Sequence, residues 1–429
     1  MARTETPFAD SFDAALMPGA AWVDSLRRAG FDSYKSLGLP TPRSEQWKYT
    51  NLRALNRIGF APATDSALAD IPEGIVPLED AYVAVVLNGR FDAALSILGG
   101  LPKGAEVGSL ADKVAQTPAD LKDVFGSLAD VEKLPLAALN TASMSDGLYV
   151  RLADGVVLDK PLHLVSIGSA GETPVRFNPR HLVVLGKGSI ATLVESHVGR
   201  GEYFGNTVAE IAVGDGAVLN HYKLQNESTD AFHVAFTQVK LADRAVYDSF
   251  VLQVGGKLAR NEIRAELGEH VECRVNGAYL ARGEQHIDNT TFIDHAAPNS
   301  ASHEVYKGVL DDSARGVFQG KILVRKDAQK TDGRQLNKTL LLAPGAEMDS
   351  KPELEIYADD VKCTHGATIG DLSEEAMFYL KARGIDARQA QAMLVAAFVG
   401  EAVTEIQAAG PREGFQAVVD AWLEAREET

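Results

Sequence analysis

A turn recurs along this chain at a fixed interval, and that interval constrains the fold more than any other feature. "GKGSI" begins at Gly186, "GDGAV" at Gly214 and "ADRAV" at Ala242, so the apolar residue closing each turn falls at Ile190, Val218 and Val246, 28 residues apart each time. A looser echo, "GEHV", puts Val271 25 residues further on, and "SARGV" places Val317 another 46 beyond, close to two shorter rungs. From about residue 146 the sequence consists of short Val, Ile, Leu, Thr and Tyr runs separated by Gly, Asp and Asn, with little that keeps helical period. One strand-turn-strand rung is too short to bury its own apolar face, so the rungs must stack on one another. A propeller needs about 40–45 residues per blade, and a sandwich is not expected to repeat turn chemistry at fixed intervals. The pattern predicts a β-solenoid.

The flanks have a different texture. The first 145 residues mix helical and extended patterns: Ala20, Trp22, Val23 and Leu26 have helical spacing that Gly30 is expected to break, and Pro40 and Pro42 force a turn. "RSEQWKYTNL", residues 43–52, sets Trp47 and Tyr49 among charges and reads as an aromatic anchor at a domain junction. After residue 372, Asp371 with Glu374 has capping-box spacing, Gly384 ends a short helix, and Asp386 with Gln389 opens a second. That helix carries Ala390, Met393, Leu394, Ala397 and Phe398 on one face and is expected to stop at Gly410-Pro411. The last helix carries Phe415, Val418, Val419, Trp422 and Leu423. Both stripes can be core or a partner-docking face. The expected organisation is a mixed region over 1–145, a parallel β core over 146–372 and a helical domain over 373–429.

Lys+Arg 42 against Asp+Glu 59 gives a net charge of −17, which repels nucleic acid and anionic lipid. Two cysteines, Cys273 and Cys363, cannot form a disulfide framework and fit a reducing compartment. The opening stretch has no secretory pattern and no run has membrane-spanning length, so a cytoplasmic protein is expected. "GKGSIA" matches a dinucleotide fingerprint, but its turn recurs 28 residues later and is a rung corner. "GVFQGKI" is one residue short of a phosphate loop, and Ile322 stands where Ser or Thr would bind magnesium. Eight histidines, His181, His197, His221, His233, His270, His286, His295 and His303, are scattered through the rungs and read mostly as structural or surface residues.

Chemistry concentrates at "EIYADDVKCTHGATIG", residues 355–370. On a strand, Cys363 and His365 point to one face. Three readings stay open: two ordinary strand residues, a nucleophile with its base, or half a metal site. Two ligands cannot complete a tetrahedral site or a four-ligand cluster, so a metal site needs donors from another chain.

"KPELEIYADDVKCTHGATIG" followed by "FYLKARGIDARQAQAML", with "RSEQWKYTNL" and "LNGRFDAALS" upstream, closely resembles the SufB/SufD family, scaffold subunits of the Suf iron–sulfur cluster assembly system, and within it the SufD branch. The likeness spans nearly the full length. It implies a mainly β fold, a right-handed parallel β-helix between an N-terminal mixed region and a C-terminal α-helical domain. It implies a non-catalytic subunit that pairs with a SufB-like paralogue and a SufC-like ABC ATPase, ATP entering only through the ATPase. It carries over to His365 a place at the paralogue interface, beside a cysteine of the partner, where a transient cluster is built and shared; Cys363 matches the motif's cysteine. It makes Met393, Leu394, Phe398, Phe415, Val419 and Trp422 candidates for ATPase docking. Two rival readings are a secreted polysaccharide-active β-helix enzyme holding calcium at Asp359 and Asp360, and a stand-alone homodimer paired through its last strands.

Overall fold

The computed structural model describes residues 7–8, 20–64, 68 and 70–427; the opening stretch read for an export signal lies largely outside them. Its centre is a parallel β-solenoid of about eight coils, formed by two sheets whose strands alternate along the chain. One sheet, here sheet A, ends on the strand Glu347–Ile356; the other, sheet B, ends on Lys362–Gly370.

The recurring turn has a single backbone cause. At the same corner of successive coils the chain must take a positive φ, and it does so at Gly188 (64°), Gly216 (64°), Arg244 (59°), His270 (57°), Asn299 (63°) and Lys330 (65°). Each of these residues donates its N–H to a carbonyl of the next coil, as Gly188 does to Asp215 and Lys330 to Asp360. Glycine meets this demand without steric cost, which is why the first two corners are the most legible ones. Ile190, Val218 and Val246 are direct ladder partners.

Two parts of the repeat differ from expectation. The ladder continues from Val246 to Glu272 rather than Val271, and then to Ala301, Asp332 and Lys362. Val317 lies in the other sheet, paired with Asp288 and Asp349. Coils of 26 to 31 residues drift out of phase with a fixed period, so an apolar residue after a small-residue turn is found in either sheet.

The flanks pack on the solenoid. The strand Tyr82–Leu87 already lies parallel in sheet B beside Leu162–Ser169, and forms an antiparallel pair with Arg90–Ile97. The helix Ala21–Leu37 runs straight through Gly30, where a Cβ would lie 2.9 Å from Thr141 on the helix Pro135–Ser143; glycine permits this close contact. The 43–52 segment straps sheet A: the Arg260 guanidinium lies over the Trp47 ring at 4.2 Å, Thr50 donates to Asp288, and Lys351 pairs with Glu45 at 2.9 Å.

At the C-terminus the helices are Glu374–Ala382, Ala387–Val403 and Ala409–Glu427. Ser373, not Asp371, caps the first, accepting from the Ala376 N–H, while Asp386 caps the second through the Gln389 N–H. Gly410 and Pro411 begin the third helix instead of ending the second, as a proline suits a first turn whose N–H groups have no partner. The second helix buries Ala390, Val395, Val399, Ala402 and Val403, a face rotated from the one expected. Val395, Val399, Ala402 and Val403, with Phe415, Val419 and Leu423, cover Tyr222, Phe250, Leu252 and Val309 on the outside of sheet B.

Candidate functional site at the open end of the solenoid

Among the described residues, no further rung lies above the last coil. Both terminal strands therefore expose an unpaired edge, with Ile356, Tyr357 and Ile369 exposed beside it. The two edges are not equivalent. Glu347–Ile356 carries Pro352, which has no N–H to offer, whereas Lys362–Gly370 has no proline. Lys362 donates its N–H inward to Thr331, so alternation along the strand turns the N–H groups of Cys363, His365, Ala367 and Ile369 outward. An open parallel edge of this kind is a template for another chain.

Cys363 and His365 lie on this strand, two residues apart, but their depths differ. Cys363 is partly buried against the solenoid core, its Sγ 3.4 Å from where a Gly333 Cβ would stand. Burial pushes its thiol up from the ordinary cysteine range, with the Asp332 charge adding to the effect and a Gly333 backbone hydrogen bond opposing it. A thiol so held is mostly protonated at neutral pH, which disfavours the nucleophile reading. His365 is exposed. Beneath it in the ladder stand Gln335 and then Glu304, both buried. Asp360 is engaged by Lys330 through both its carboxylate and its carbonyl, and Asp359 is exposed. Among the described residues, no group of three or more His, Cys, Asp or Glu side chains is arranged to hold a metal ion.

The C-terminal candidates lie on the flank, away from this end. Phe415 and Val419 are fully buried, with Phe415 edge-on to Phe250 at 5.7 Å, so neither forms part of an outer surface. Leu394, Phe398 and Trp422 are partly buried, and Met393 is 46% exposed. Two exposed aromatics of the C-terminal helices, Phe378 and Tyr379, lie on a helix with no buried residue.

Sequence reasoning missed a polar group inside the solenoid. Glu195 accepts from His197 and His221 at 2.8 and 2.9 Å; Glu227 bonds His233 at 2.8 Å, and the His197 and His233 rings are 5.0 Å apart. Lys223 is the ladder partner of Glu195. Burial opposes ionisation of Glu195, but His221, His197 and Lys223 outweigh it and hold the carboxyl well below its usual range. The 28-residue offset from Glu195 to Lys223, the same as between the turns, was the available signal.

Comparison with known proteins decides the family. Residues 167–398 match the model "SUF system FeS cluster assembly, SufBD core domain", and residues 15–164 match "SufBD protein N-terminal region". The chain belongs to the SufBD family. Among SufBD relatives, SufD of Escherichia coli, an iron–sulfur cluster assembly protein, is 32% identical over 88% of this chain and 87% of its own length. A SufBD family protein of Synechocystis is also 32% identical, over 89% of this chain and 86% of its own. SufD of Bacillus subtilis is 24% identical over 93% and 94%. The chain is thus a SufBD-family iron–sulfur cluster assembly protein. Among the described residues, no helix is long and apolar enough to cross a membrane.

Proposed function

We propose that this chain is a non-catalytic scaffold subunit that completes a cluster-building site by pairing its open end with a SufB-like paralogue. The observation that carries this reading is the coincidence of the unpaired, proline-free edge Lys362–Gly370 with the exposed His365 on the same strand. A homologous solenoid can extend sheet B across that edge by parallel or antiparallel pairing. His365 then offers one neutral imidazole nitrogen at the seam, and the partner supplies the thiolate that this chain lacks at an exposed position. Iron and sulfide are the substrates of that seam, held transiently and shared between the two chains. Cys363 supports the rung from inside.

A SufC-like ABC ATPase supplies the ATP turnover. Its docking surface draws on the C-terminal helices through exposed groups, Phe378, Tyr379 and Met393, with Leu394, Phe398 and Trp422 behind them. The −17 net charge favours neither nucleic acid nor anionic membrane as a partner. Without the paralogue, the same edge can pair with a second copy of this chain.

The test is co-expression with the paralogue and the ATPase. His365→Ala should leave the purified complex intact and remove cluster accumulation, read from its absorbance and its iron and sulfide content. Unchanged cluster yield in a verified complex would refute the assignment.

A further inference from the structure

Five glutamates are buried among the described residues: Glu195, Glu210, Glu227, Glu262 and Glu304. The first four each face an imidazole or a guanidinium, namely His197 and His221, Arg180, His233, and Arg260 with Arg264. Glu304 is completely buried, and the groups against its carboxyl are neutral: its Oε2 accepts from Gln335 Nε2 at 2.7 Å, and the Thr291 hydroxyl lies beside it. No described cation lies within ion-pair distance of it. Cys273 and Tyr306 are the titratable groups that feel its charge. Burying a carboxyl without a cation is costly, so its retention calls for a role beyond packing.

The ladder indicates that role. Glu304, Gln335 and His365 are consecutive partners on three adjoining coils of sheet B. Facing them, Thr291, Gly320 and Pro352 are consecutive partners in sheet A. Gln335 reaches across the interior at the second level, and Gly320 is what makes room: a Cβ there would lie 2.2 Å from Gln335 Nε2. Because Glu304 takes the amide nitrogen, the orientation of the Gln335 amide is fixed. Its Oε1, one rung below His365, is buried and has no partner among the described residues. An unpaired buried acceptor is unfavourable unless something donates to it.

We propose that Glu304 is a positioning residue for the cluster-building site, orienting Gln335 so that its Oε1 accepts a ring N–H of His365. This rests on the reading of His365 given above. A hydrogen bond from one ring nitrogen fixes the tautomer and leaves the lone pair of the other nitrogen directed at the open edge, where a metal ion can take it. The arrangement explains in one stroke the unpaired glutamate, the glycine opposite Gln335 and the stranded carbonyl.

The test separates this from the assembly reading. In the full chain, labelled with 15N-histidine, the His365 signal is identified by its loss in His365→Ala. The expected spectrum shows one dominant tautomer. Gln335→Met should redistribute it toward the mixture of a free imidazole, and Glu304→Gln, which no longer dictates the amide's orientation, should do so in part. In the complex, Gln335→Met should retain the partners and lower cluster yield by about 10-fold or more, as for a lost outer-shell partner of a metal-bound imidazole. His365 nitrogen shifts identical to the parent in both variants would overturn the proposal. That result does not depend on cluster building, so it stays distinct from a failure of His365→Ala to abolish the cluster.

Discussion

His365 and Cys363 occupy equivalent places in the alternation of one strand, and their spacing alone put them on one face. Depth is what the spacing could not convey, because it depends on which rung is last. Cys363 settles over Gly333 and packs on the core, whereas His365 stands over the larger Gln335 and stays exposed. Burial at the residue scale also sets the response to pH. His163, His181, His197 and His295 are each lowered to about 4, chiefly by desolvation. The unfolded chain takes up these protons near 6.5, so the stability they contribute is present above that pH and is lost as pH falls toward 4. Glu304 acts in the opposite sense. Burial pushes its carboxyl up to about 7 from 4.5, with the Thr291 and Gln335 dipoles offsetting part of the effect, so its contribution is intact below about 4.5 and lost as pH rises through 7. Urea unfolding from pH 4 to 8.5 should show stability rising out of acid, and Glu304→Gln should remove a loss on the alkaline side. A parent and a variant with the same alkaline limb would count against an uncompensated Glu304.

At the scale of the element, the solenoid was legible where glycine marks a corner. It was fainter at Arg244 and His270, where the spacing still showed it, and was not legible at Asn299 and Lys330, which take the same positive φ without a glycine to mark it. The C-terminal caps show a similar limit: Asp371 and Ser373 both offer an oxygen, and helix geometry alone decides that Ser373 meets the Ala376 N–H. The buried face of Ala387–Val403 was not legible either, since the helix is apolar nearly all round and the outer face of sheet B selects the side that packs. Two glycine substitutions separate backbone from packing effects. Gly216→Ala, at φ 64° in open space, should cost about 1 kcal/mol through backbone strain. Gly308→Ala puts a methyl 2.0 Å from the Tyr279 ring and should cost roughly 1–3 kcal/mol through overpacking. Chemical denaturation reads both; equal and negligible effects would contradict the roles assigned to these glycines.

Over the whole molecule, a parallel stack closed along one flank by helices and left open at one end explains why the chain's reactive groups do not form a complete site by themselves. Sheet A ends on a strand carrying Pro352, and sheet B ends on one free to pair, so the proposed pairing would use the strand that bears His365. Ala367→Pro removes one outward N–H while sparing the inward bonds to the strand Asp332–Leu341, and should weaken the complex with little effect on the isolated fold. The most direct measurement is residue-resolved amide exchange over 362–370. In the dilute isolated chain, the N–H groups of Cys363, His365, Ala367 and Ile369 should exchange readily, and they should become protected when the paralogue binds. A complex that forms while these four amides stay as exposed as before would contradict the pairing on which the account rests.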